Sequence, residues 1–191
     1  SAAWNDRHRY RPKMISLDAA VARAQEVSAD DSLPAVLFAD PADNPGGGGR
    51  GNTTHILRAF LAAEISGCAL AVFYDRAAVG AAFAAGVGEK VSITLNSEED
   101  SSFSDRLDVE ATVERLSDGI FIGEYGMVAG KTVTTGPTAV LVVGSIRVVV
   151  ISNRQQCLST DYLQAFGIEA AECRSIVVKS RGHFRAGFLH L

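Results

Sequence analysis

With 191 residues, 47% of them hydrophobic and 21% charged, the chain suits one globular domain, or one domain with an extension. A net charge of −4, with the signs well mixed, excludes general attraction to nucleic acid or to an anionic membrane. No apolar run approaches the ~20 residues of a membrane span, the start lacks the apolar core of a secretory signal, and three cysteines without a CxxC spacing point to a reducing, cytoplasmic setting.

Residues 1–15, which include Arg7, His8, Arg9, Arg11 and Pro12, read as a tail or linker, and 16–191 as a single domain. Ser16 can cap a helix through about Val27, with Leu17, Ala20, Val21, Ala24 and Val27 on one face. "PAVLFA" is the short continuous apolar run of a strand in a parallel sheet covered on both faces. After a glycine-rich stretch, Leu57, Phe60, Leu61 and Ile65 fall at helical spacing, and Gly67 ends that helix. "CALAVFY" is a second buried strand, and Asp75 can cap an alanine-rich helix to about Ala85. Strand, helix, strand, helix favours a parallel βαβ arrangement.

Beyond residue 90 the pattern changes. "EKVSITLN", "LDVEATVERL" and "GIFIGEY" alternate or run apolar, and "TAVLVV-GS-IRVVVIS" has the composition of a hairpin turning at Gly144-Ser145. A short helix, "TDYLQAF", closes at Gly167; "RSIVVKS" is a strand, and "RGHFRAGF" begins a helix or loop. The expected fold is α/β, a mixed sheet with a parallel βαβ portion and an inserted or appended antiparallel hairpin section. The "IRVVVIS" strand is expected to offer an exposed edge through which a homo-oligomer could assemble.

Chemistry can sit at two polar clusters. The loop "ADPADNPGGGGRGNTTH" follows a strand and precedes a helix, so free N–H groups and the positive end of the helix dipole would favour an anion there. The string is neither GxGxxG nor GxxxxGK[ST], and a simple flexible turn explains the glycines equally well. Asp40, Asp43 and Asn44 flank the loop; the carboxylates can bind a cation or an amine, or act as turn formers, the latter more so for Asp43. The second cluster, Lys179, Ser180, Arg181, His183 and Arg185, follows the "SIVV" strand. If that strand runs parallel to "AVLFA", the clusters meet at one edge, with His183 as base or ligand and Lys179 or Arg185 as an anion clamp. Otherwise it is a solvated helix start anchored by Phe184 and Phe188. The four histidines include no HExxH or HxH pair, the cysteines lack an adjacent base, and GxSxG is absent, so no metal site and no cysteine or serine nucleophile is expected.

"ADNPGGG", "AVFYDRAAVGAAFAAGVGEKVSITL", "GPTAVLVV" and "VVKSRGHFRAGF", in this order from about Ser16 to Phe188, resemble the carboxyl-terminal domain of the microcystinase C (MlrC) family of metallopeptidase-like proteins. The resemblance implies a zinc-type hydrolase of peptides or related amides, of the kind that degrades linearised microcystin. It places the zinc in an amino-terminal metal-binding domain, the implied partner, with no cofactor in this chain, which alone would be inactive. It also implies that His183 and Lys179 orient or neutralise the tetrahedral intermediate, while Asp40, Asn44, Gly46, Gly47, Gly48 and Arg185 bind a peptide-like substrate. Family members often carry a smaller or acidic variation where this chain has Gly49-Arg50-Gly51-Asn52. The alternative is a non-catalytic oligomerisation module or a binder of small anions.

Overall fold

The computed structural model describes residues 2–10, 13–97 and 103–191. In the tail, Ala2–Asn5 (α1) and Arg7–Tyr10 form short helical turns, and Arg11 and Pro12 lie outside the described residues. Helix α2 (Leu17–Ala29) starts as expected, its first turn held by the Ala19 N–H donating to the Ser16 hydroxyl at 3.2 Å. Ala20, Ala24 and Val27 are its buried face, whereas Leu17 stays exposed.

Seven strands form one sheet. They are β1 (Val36–Ala39), β2 (Cys68–Tyr74), β3 (Lys90–Leu95), β4 (Leu107–Ser117), β7 (Thr138–Val143), β8 (Ile146–Ile151) and β9 (Ser175–Val178), in the spatial order β1-β9-β2-β8-β7-β4-β3. The first four in that order are mutually parallel and the rest antiparallel, so the expected antiparallel section extends the same sheet. Strands β5 (Ile120–Ile122) and β6 (Thr132–Thr134) make a separate two-stranded ribbon. Helices α3 (His55–Ala62) and α4 (Arg76–Ala85) connect the early strands, and α5 (Asp161–Gln164) is a single turn. Among the described residues, no helix is long and apolar enough to cross a membrane.

Both faces of the central strands are covered, which is why these strands are almost wholly apolar. In β8, Val148 and Val150 enter a core with Leu57, Phe60 and Val79, while Val149 and Ile151 enter a second core with Tyr162, Phe166 and Phe184. The turn at Gly144-Ser145 is confirmed, with Gly144 at φ +57°. One expectation fails: β8 has no free edge, because β2 and β7 flank it, and the outer strands are β1 and β3. A strand buried on both faces and paired on both sides sits at the centre of a sheet, so it cannot recruit a second copy.

The register places the polar clusters. Ala39 pairs with Val178, so the next residues, Asp40 and Lys179, leave the sheet side by side. The Asp40 N–H donates to the Val178 carbonyl at 2.8 Å, extending the ladder by one bond.

Candidate functional site

The condition set by the sequence is met: "SIVV" runs parallel to "AVLFA", and the two clusters join at the carboxyl edge. Lys179 is the inner part of that edge and only 1% exposed. Its ammonium donates to Asp43 Oδ2 at 2.8 Å, to the Thr53 carbonyl at 2.8 Å and to Thr53 Oγ1 at 3.0 Å, with Asp40 Oδ2 at 3.4 Å. Four acceptors surround three N–H groups, so no donor is left for a ligand. The Phe73 ring lies 5.5 Å from the ammonium on a further side. The cation that Asp40 was expected to bind is therefore Lys179 of the same chain.

Asp43 organises the glycine loop. Its carboxylate accepts from the Gly51 N–H at 2.7 Å and from the Thr53 N–H and hydroxyl, both at 2.8 Å. Burial alone would raise its pKa, but the Lys179 charge and these N–H bonds outweigh it and hold the carboxyl below its usual value. Asn44 shapes the other side: its Oδ1 accepts from the Gly46 N–H at 3.1 Å, and its carbonyl from the N–H groups of Gly47 at 2.9 Å and Gly49 at 2.8 Å. A Cβ on Gly49 would lie 2.6 Å from the Asn44 backbone nitrogen, and Gly48 sits at φ +93°, so these two positions require glycine.

The loop thus differs from the expected anion cradle. The N–H groups of Gly46, Gly47, Gly48, Gly49, Gly51 and Thr53 are all bonded within the loop. At the start of α3, the Thr54 N–H donates to Ser104 Oγ at 2.8 Å, and His55 Nε2 meets the Phe103 carbonyl at 2.7 Å. The Asp43 carboxylate occupies the role an external anion would have filled.

The outer part of the edge is different. His183 opens the 3₁₀ turn His183–Ala186 and is exposed, as is Arg185, whose guanidinium carbon lies 5.6 Å from the Phe184 ring centroid. Phe184 and Phe188 are buried and anchor the turn. His183 Nδ1 lies 3.0 Å from Gln156 Nε2, and the Ser180 hydroxyl donates to Gln156 Oε1 at 3.0 Å. The Gln156 amide also lies directly over Gly46. Sequence reasoning missed Gln156, although one signal was available: "SNRQQ" leaves the carboxyl end of β8, a strand parallel to β9 and β2.

Among the described residues, no three of His, Cys, Asp or Glu come together to hold an ion, and Asp40 and Asp43 are engaged by Lys179. All three cysteines are buried; burial pushes Cys68 up to about 12 and raises Cys157 and Cys173 as well, so none is a ready thiolate.

Comparison with known proteins now decides the family, since the sequence profile of the MlrC C-terminus matches residues 38–191. The chain belongs to the MlrC C-terminus family. The matched segment begins in β1 and includes the whole polar edge, from Asp40 to His183. Microcystinase C of Sphingomonas sp is 28% identical over 153 residues, which are 80% of this chain and 29% of that protein. The crystal structure of a "Putative metallopeptidase" from Mesorhizobium sp. BNC1 superposes with a TM-score of 0.81 at 22% identity, covering 97% of this chain and 36% of that one. The MlrC C-terminal fold is thus shared at low identity, and the chain spans about a third of the length of these relatives.

Proposed function

We propose that this MlrC C-terminal domain forms one wall of the substrate cleft of a metallopeptidase-like hydrolase acting on peptides or related amides. In this reading zinc is held by an amino-terminal partner domain, and this chain alone is inactive. The observation that supports it is the grouping of exposed His183 with Gln156 and Gly46 on the outer side of the carboxyl edge, inside the family's matched segment. Open parallel sheets bind ligands at that edge. His183 and Arg185 meet carbonyl or carboxylate oxygens of the substrate. Lys179, Asp40 and Asn44 act one step back: the ion pair of Lys179 with Asp40 and the Asn44 bonds to the loop N–H groups hold the stretch that carries Gly46, Gly47 and Gly48 in place.

In the two-domain protein, His183→Ala should lower kcat on a peptide substrate by roughly 10²–10³-fold, the usual cost of removing one donor to a developing oxyanion. Metal content, measured by elemental mass spectrometry, should stay unchanged. Turnover equal to the parent would remove His183 from the reaction.

A second reading, a non-catalytic assembly module, is favoured by one observation: Ile120 and Ile122 stand exposed on the β5–β6 ribbon. Light scattering of the domain before and after Ile122→Lys separates the two, because only assembly through that ribbon would be lost.

A further inference from the structure

We infer that Ser180 and Gln156 set the tautomer of His183, so that its outward nitrogen is a hydrogen-bond donor for an oxygen of the ligand. This rests on the reading above that His183 faces the substrate. It goes further in assigning the proton, and it adds Gln156 and Ser180 as positioning residues.

The argument starts at Ser180, which leaves the sheet next to Lys179 and is 0% exposed. A hydroxyl shut away from water must place its proton on an acceptor or carry the full desolvation penalty. Among the described residues, the acceptor within reach is Gln156 Oε1, at 3.0 Å. A primary amide has one accepting end and one donating end, so Oε1 at Ser180 commits Nε2 to the other side. There it meets His183 Nδ1 at 3.0 Å. An amide NH₂ has no lone pair to offer, so Nδ1 must be the acceptor and carry no proton. The proton of the neutral ring then resides on Nε2. Turning the amide over would make Nδ1 a donor, but it would leave the buried Ser180 proton without its acceptor.

Gly46 completes the arrangement. A Cβ there would lie 2.7 Å from the Gln156 Cδ and 2.8 Å from Oε1, with Nε2 closer still, so a side chain at this position would push the amide aside. The glycine loop and the β9 exit therefore meet at the amide that Gln156 brings from the β8 exit, and that amide faces the imidazole. Fixed in this way, neutral His183 is unsuited to taking a proton or coordinating a metal through Nε2. It is suited to a peptide carbonyl, a carboxylate or the oxyanion that develops from an amide.

Nitrogen-15 NMR of the labelled 191-residue chain reads the tautomer directly, at alkaline pH where the imidazoles are neutral. His183 is assigned by the signals lost in His183→Asn. The expected pattern is Nε2 in the pyrrole-like range and Nδ1 in the pyridine-like range. Gln156→Glu, which accepts from both neighbours, should reverse it, and Gln156→Met should give the averaged shifts of a ring exchanging between tautomers. A reversed or averaged pattern in the parent chain overturns the proposal, as does a pattern that neither variant changes. Failure of His183→Ala to affect turnover would instead refute the cleft reading and leave the tautomer standing.

Discussion

The parallel and antiparallel halves of the sheet use similar apolar strands but dispose of their polar residues in opposite ways. In the parallel half every strand points the same way, so Asp40, Lys179, Asp75 and Ser152, each following a strand, fall along one edge. There Lys179 can gather Asp40 and Asp43 out of water. In the antiparallel half the polar residues lie along the strands, on the solvent face. Ser92 bonds its cross-strand partner Glu110, and Thr94 bonds Asp108 at 2.6 Å. Glu114 meets Arg147 at 3.2 Å with both side chains well exposed. These groups have water available if the pair breaks, and those around Lys179 do not. The same chemical types therefore carry unequal weight, and strand direction decides which.

Substitutions can test that contrast directly. The largest loss is expected for Lys179→Ala, which strands two buried carboxylates and should cost about 3–5 kcal/mol in urea unfolding. A loss below about 1 kcal/mol would place the ammonium outside the architecture. Asp43→Asn should cost about 1.5–3 kcal/mol at neutral pH, since it weakens bonds made to a charged acceptor. It should also alter the acid response. The folded Asp43 holds its proton less tightly than the ordinary value of 3.8, so its contribution is complete above that value and fades as pH falls through the lower folded one. Unfolding midpoints followed downward through the carboxylate range should fall less steeply in Asp43→Asn than in the parent. Gly49→Ala forces a Cβ against the Asn44 backbone and should cost about 1–3 kcal/mol. On the antiparallel face, Glu110→Ala should stay within about 0.5 kcal/mol, and a larger loss there would erase the distinction between the halves.

Much of this architecture is legible in the residues themselves. The caps at Ser16 and Asp75 and the turn at Gly144-Ser145 are local chemistry, and all three form as their sequences require. The meeting of Asp40 with Lys179 follows once two apolar strands are taken as parallel. What the chain does not announce is lateral order. Nothing near "SIVV" says that it lies between β1 and β2, because pairing partners are chosen by the whole core. The placement of β8 was nevertheless readable: Val148, Val149, Val150 and Ile151 leave no polar face, and such a run belongs inside a sheet. Within the site, Asp40 and Lys179 stood out as charges beside apolar strands, whereas Gln156 carries no charge and sits in a connecting loop. The engagement of the loop N–H groups by Asp43 and Asn44 depends on how the backbone folds back on itself, which glycine composition leaves open.

Strand β9 is the last strand in the sequence and lies second in the sheet, between β1 and β2. Asp40 and Lys179, joined at its end, are 139 residues apart in the chain. During synthesis, β1 therefore emerges long before the neighbour it must pair with. The parallel half has to wait, open at its middle, until β9 leaves the ribosome, and contacts of such long range make for slow folding. A chain interrupted before Ser175 would lose the clasp that joins β1 to β2.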